Sequence, residues 1–153
     1  PLDDGNGNKN WNVYDRCSAL YSALLALGIT DVFVSPHNYG GSIVTELSNC
    51  ISNNIPVFVS EWGNSDSDGD GSYRDTAALA QINYCHENAI AQSLWKYTDQ
   101  TMKSSLLANY GIINSERYAS GFTSNDLSHN GVLLLGRYYD FIRDEWIVRT
   151  AIQ

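Results

Sequence analysis

The run Ile55-Pro56-Val57-Phe58-Val59-Ser60-Glu61-Trp62-Gly63 narrows the possible folds of this chain more than any other stretch. It is opened by a proline and closed by a carboxylate, an aromatic and a glycine. A short run that is apolar on both faces suits a strand buried in a parallel sheet. Strict alternation predicts that Val57, Val59 and Glu61 share one face. A lone Glu where the strand leaves the core, followed by a polar, glycine-broken loop, marks the end of a parallel strand at which α/β proteins place their chemistry.

The flanking segments supply the rest of a βαβ rhythm. Residues 1–13, rich in Asn, Asp and Gly, read as loop. From 14 to 27, Cys17, Leu20, Tyr21, Leu24 and Leu27 recur at helical steps, and Gly28 stands where a helix stops. Residues 29–35 read as a strand centred on Val32, Phe33 and Val34, which leaves through Pro36-His37-Asn38-Tyr39-Gly40-Gly41. His37 and Tyr39 are two apart, so an extended backbone points them the same way. A helix follows over 42–53, with Ile43, Leu47, Cys50 and Ile51 on one face. Two strands joined by one short helix favour a parallel crossover.

Beyond the central strand, Asp66, Asp68, Asp70 and Gly71 match the first half of an EF-hand loop, but Ala77 occupies the place of its closing Glu. A solvated loop at the mouth of a cleft is therefore expected instead of a calcium site. Asp75 is placed to cap a helix over 76–88, whose apolar contacts are Leu79, Ile82, Tyr84 and Cys85. Residues 89–95 form the next expected strand, with Ala91, Ser93 and Trp95 on one face and Ile90 and Leu94 on the other. Residues 107–130 are irregular in pattern. Ser128 is then expected to cap a helix over 131–143 with Val132, Leu135, Tyr139 and Ile142 as its apolar stripe, and 146–153 reads as a tail.

The bulk composition excludes several classes. Hydrophobic residues make up 43% of the 153, so a real core is expected. No apolar run approaches the roughly 20 residues of a membrane span. A net charge of −8 with only nine Lys and Arg argues against nucleic acid and anionic membranes as partners. The three cysteines, Cys17, Cys50 and Cys85, all fall in helical segments without metal-ligand spacing and read as buried free thiols. Four Trp and ten Tyr supply flat amphipathic rings suited to stacking on sugars.

Three of these stretches carry a family resemblance. Val59-Ser60-Glu61-Trp62-Gly63, the His37-x-Tyr39 pair one βα unit earlier, and 89–95 with Asp99 and Ser104-Ser105-Leu106 resemble the seventh, sixth and eighth strands of glycoside hydrolase family 5. Leu127-Ser128-His129-Asn130-Gly131 resembles the start of the closing helix of that barrel. The resemblance runs from about residue 29 to 142. It implies an α/β fold, the C-terminal portion of a (β/α)8 TIM barrel with about strands 6 to 8 and their helices. It also implies a retaining endo-β-1,4-glucanase with Glu61 as nucleophile and Tyr39 hydrogen-bonded to its carboxylate, stabilising the charged form. His37, Tyr39 and Trp95 would bind the sugar. No metal and no cofactor are required. The implied partner is a β-linked polysaccharide, and the implied protein is a secreted monomer. Two departures touch neighbouring subsites: Gln100 stands where the family often has Lys, and Leu94 where Asn commonly precedes the Trp.

A retaining glycosidase needs a second carboxyl roughly 5–5.5 Å from the first. In the family it is a Glu preceded by Asn at the end of the fourth strand. The five Glu here are Glu46, Glu61, Glu87, Glu116 and Glu145, and none follows an Asn. With about 250 residues typical of a complete barrel, residues 1–153 are expected to be part of a catalytic domain, its acid/base upstream. Other readings are a β-mannanase or another β-glycanase of the same family, and a non-catalytic carbohydrate-binding protein.

Overall fold

The computed structural model describes residues 13–39, 42–65, 71–95, 102–108 and 123–151. Its elements are α1 (Val13–Ala26), β1 (His37–Tyr39), α2 (Val44–Ser52), β2 (Val59–Gly63), α3 (Asp75–Glu87), β3 (Gln92–Leu94), a 3-10 turn at Ser124–Asp126 and α4 (His129–Ala151). The strands form a parallel sheet in the order β1-β2-β3. Each neighbouring pair is joined by one helix, as parallel pairing demands.

The helix–strand junctions repeat one device. Ile29, Ile55 and Ile90 donate their backbone N–H to the carbonyls of Leu24, Cys50 and Cys85, at 3.0, 2.9 and 2.8 Å. Between helix and isoleucine stands a residue in the left-handed region: Gly28, Asn54 and Ala89, with φ of 77°, 55° and 53°. This is the Schellman stop, used three times to turn a helix into the next strand. Glycine was the signal at residue 28. At Ala89 the same geometry is imposed on a residue that resists it.

One face of the sheet carries the core. Ile43, Leu47, Val59, Trp62, Ala78, Ile82, Cys85 and Leu134 form a buried cluster of sheet and helix side chains. Val34, Cys50 and Ile55 form a second, against which Tyr21 packs. Burial pushes the Cys85 thiol up to about 11 and the Tyr138 hydroxyl up to about 12. Both therefore stay neutral near pH 7 and act as packing groups. Cys50 and Cys85 are buried free thiols, as expected.

Several sequence expectations are corrected. Of residues 29–35 only Val34 pairs, in an isolated bridge to Val57 ahead of β2. Pro36 has no N–H to offer the ladder, and pairing resumes at His37–Tyr39, so the His-x-Tyr pair lies within the strand. Phe33, expected at the apolar centre of that strand, and Ile51, expected on the face of Ile43, Leu47 and Cys50, are exposed. Asp75 is not a cap: Arg74 precedes the helix and no side chain caps it. The expected stripe of α4 faces outward, with Val132, Tyr139 and Ile142 at 57%, 66% and 68% exposure. Leu134 takes the buried place, with Leu133, Tyr138 and Phe141 against the core. Apolar residues recur on two faces of this helix, and periodicity cannot rank them. Ser128 does cap α4, its Oγ accepting from the Gly131 N–H at 3.0 Å. The helix runs on through the expected tail to Ala151, since 144–151 contain no Gly or Pro to stop it. The acidic loop 66–70 and residues 109–122 lie outside the described residues.

Two of the contacts that tie α4 to the rest lie at its start. A Cβ on Gly131 would stand 2.1 Å from the Leu106 carbonyl oxygen, so only glycine lets the helix start this close. On the α3 side, the Asp75 carboxylate meets His129 Nε2 at 3.0 Å and accepts from Asn64 Nδ2 at 2.7 Å. Burial alone would raise the Asp75 carboxyl. The hydrogen bonds from Asn64 and His129, together with the His129 charge, outweigh it and hold the group below its ordinary 3.8.

Ala89→Gly should therefore raise unfolding stability by about 1 kcal/mol in denaturant titration, by removing left-handed strain. Gly131→Ala should lower it by about 1–3 kcal/mol through the clash at Leu106. The Asp75 contribution has a definite sign. A carboxyl depressed in the folded state stabilises fully above its unfolded value and loses that effect as acid protonates the folded form. Wild type should thus lose stability below about pH 4 more steeply than Asp75→Asn, measured by thermal unfolding from pH 6 to 2.

Candidate active site

The face of the sheet opposite the helices is where polar groups gather. From residue 33 into β1 the alternation is clean: Val34, Pro36 and Asn38 are buried on the helical side, while Phe33, Ser35 and His37 are exposed on the other. Tyr39 follows on that second face. Across β3 and the residues flanking it, Ile90 and Leu94 pack on the core, and Ala91, Ser93 and Trp95 are exposed.

In β2 the alternation breaks. Val59 and Trp62, three apart, both lie in the helical cluster and are both fully buried. The registers on either side locate the cause. Ahead of the two strands Val34 pairs with Val57, whereas His37 pairs with Glu61 and Tyr39 with Gly63, so the segment running into β2 has gained one residue relative to the one running into β1. Against β3, Val59 pairs with Gln92 and Trp62 with Leu94, again one residue too many in β2. Both neighbours thus register one bulge in the segment before Trp62, a feature uncommon between parallel strands.

The bulge decides where the carboxylate goes. Strict alternation puts Glu61 on the face of Val57 and Val59, which is the buried helical face. The structure corrects that expectation: Glu61 points to the opposite face. There it accepts a hydrogen bond from the Tyr39 hydroxyl through Oε1. Its Oε2 lies 3.5 Å from His37 Nδ1. Ser60, one step below, contacts the Ser35 hydroxyl.

The energies favour this arrangement. A bulge forfeits one ladder hydrogen bond, about 1 kcal/mol net. Regular pairing would expose Trp62, losing about 2–3 kcal/mol of burial, and would drive a carboxylate into an apolar layer at several kcal/mol more.

Gly63 closes the strand. A Cβ there would come within 3.4 Å of both Tyr39 Cδ1 and the Trp95 carbonyl oxygen. The Trp95 N–H donates to the Trp62 carbonyl at 2.7 Å, and its side chain is 40% exposed. His37, Tyr39 and Glu61 are thus brought together directly, and Trp95 stands at the same sheet end on the next strand.

Sequence reading missed the base of the following loop. Asn64, buried, donates from Nδ2 to Asp75, and its Oδ1 accepts from the Arg74 N–H at 2.9 Å. Asn64 is so pinned to Arg74 and Asp75 beside the site. Tyr73 stacks near His129, ring centroids 4.3 Å apart. The only available signal was Asn64 itself, a polar residue directly after the strand.

A pocket of about 260 Å3, lined by His86, Ile90, Gln92, Tyr138, Phe141 and Ile142, lies on the helical side of β3 and not at Glu61. Among the described residues no group of three or more His, Cys, Asp or Glu could hold a metal ion. No helix there is long and apolar enough to cross a membrane.

Residues 7–101, which include β1 to β3 and all four residues singled out above, match the model of the family Cellulase (glycosyl hydrolase family 5). Endoglucanase Z of Dickeya dadantii is 29% identical over 62 residues, 40% of this chain and 15% of that protein. A structure from Cytophaga hutchinsonii superposes with a TM-score of 0.64 at 20% identity, over 86% of this chain and 42% of that one. A variant of Thermobifida fusca endoglucanase Cel5A in complex with cellotetraose gives a TM-score of 0.56 at 21% identity, over 72% of this chain and 36% of that one. The chain therefore spans less than half the length of each of these relatives. With a parallel α/β sheet superposing on cellulase structures and a family model matched across the sheet and its site, this chain belongs to the cellulase family, glycosyl hydrolase family 5.

Proposed function

We propose that this chain carries the nucleophile half of a retaining endo-β-1,4-glucanase, working outside the cell on β-1,4-glucan. The observation that carries the reading is the hydrogen bond from Tyr39 to Glu61 at the open end of a parallel sheet. With Oε1 held by the phenol, Oε2 is the oxygen that attacks. It forms a bond to the anomeric carbon as the glycosidic C–O bond breaks, and a second carboxylic acid protonates the departing oxygen. Water then displaces Glu61 from the sugar, so two inversions give net retention. His37 and Trp95 line the sugar bound at this point. The cellotetraose complex of the Thermobifida relative supports a β-glucan substrate.

Among the described residues the second carboxyl has no candidate on this sheet. Glu46 lies in the first turn of α2 and Glu87 ends α3. In this reading β1, β2 and β3 are the sixth, seventh and eighth strands of a barrel whose earlier strands bring the acid. The chain by itself should then leave carboxymethyl-cellulose intact. An aryl glycoside whose leaving group needs no proton, 2,4-dinitrophenyl β-cellobioside, bypasses the acid.

With that substrate the chain should release a burst of dinitrophenolate and retain a cellobiosyl group on Glu61, found by peptide mass spectrometry. Added azide should release β-cellobiosyl azide. Glu61→Gln should abolish the burst. Turnover of carboxymethyl-cellulose by the chain alone would show that the acid is present in it. An α-azide product would rule out retention, and a faster burst with the β-mannobioside would move the specificity to mannan.

A further inference from the structure

The helical layer holds one polar side chain that stability does not explain. Gln81 of α3 is fully buried. Its Oε1 accepts from Asn38 Nδ2 at 2.7 Å. Its own Nε2 has no hydrogen-bond partner among the described residues. A buried orphaned amide nitrogen costs about 1–3 kcal/mol, comparable to or more than one neutral hydrogen bond returns. A methionine of similar shape would fill the place without that penalty.

What the bond achieves is geometric. Asn38 sits between His37 and Tyr39 on β1 and pairs in register with Trp62, the residue after Glu61. β1 is three residues long. In an extended strand a side chain anchored on one face fixes the direction of its two neighbours on the other. The bond from Asn38 to Gln81 thus ties the middle of β1 to α3, the helix that follows β2, and so aims His37 and Tyr39 at the Glu61 carboxylate.

We infer that Gln81 is a positioning residue for the nucleophile: its amide oxygen holds Asn38, and Asn38 holds the Tyr39 hydroxyl on Glu61. Gln81 reaches no sugar and acts only through β1. The inference rests on the reading of Glu61 as nucleophile.

The test is the burst of dinitrophenolate from 2,4-dinitrophenyl β-cellobioside, followed at several substrate concentrations. Gln81→Met and Asn38→Leu should each lower the saturating burst rate tenfold or more while the half-saturating concentration moves less than twofold. The double variant Asn38→Leu/Gln81→Met should be no slower than Asn38→Leu alone, because Gln81 acts through Asn38. It leaves neither half of that bond buried without its partner, as each single variant does. A folded double variant with the wild-type burst rate would overturn the inference while leaving Glu61 as nucleophile. Absence of a Glu61-dependent burst in wild type would overturn the nucleophile reading and this inference with it.

Discussion

One extra residue in β2 governs the rest of the site. Side chains of a strand are sorted to two faces by a period of two. In this sheet one face is the packed helical layer and the other carries the polar groups. Trp62 must enter the layer and Glu61 must avoid it, yet Val57 and Val59 already commit the odd positions to the layer. Regular pairing cannot satisfy all four. The bulge resolves the conflict by letting Val59 and Trp62 share a face, and Glu61 then meets the Tyr39 phenol on the other.

This local break is held between two regular strands. β1 and β3 keep strict alternation, so they act as rulers against which the bulged strand is fixed on both sides. Behind them the helices are joined to strands by three Schellman stops of the same geometry. The same stop reverses the chain after each helix, and the parallel pairing brings Tyr39, Gly63 and Leu94 to one edge of the sheet. Gly63 then leaves room for the Tyr39 ring and the Trp95 backbone beside the last residue of β2. Precision at the carboxylate therefore comes from the backbone. The side chains that touch it, His37 and Tyr39, need only the usual direction of a strand.

Much of this was legible from residues alone. The order of helices and strands, the pairing of His37 with Tyr39 on one face, the Ser128 cap and the buried Cys50 and Cys85 all follow from period, cap chemistry and composition. The face of Glu61 did not follow, because a bulge leaves no local mark in a run such as Val-Phe-Val-Ser-Glu-Trp. Only the competing demands of Trp62 and Glu61 hint at it. The buried face of α4 was misjudged for a different reason: Val132, Leu135, Tyr139 and Ile142 form a stripe as regular as the one that packs. The roles of Asn64 and Gln81 depend on partners 11 and 43 residues away in sequence, a separation that no local pattern encodes.

The account turns on which side of the sheet the Glu61 carboxyl occupies. Proton–proton contacts measured by NMR on the labelled chain report this directly. The Glu61 side-chain methylene should show contacts to the Tyr39 ring, while the Trp62 indole contacts the methyl groups of Ile82 and Leu134. Contacts from the Glu61 methylene to those methyl groups, with the Trp62 indole instead beside Ser35 and Phe58, would mean that β2 pairs without its bulge, and the site as described would not exist.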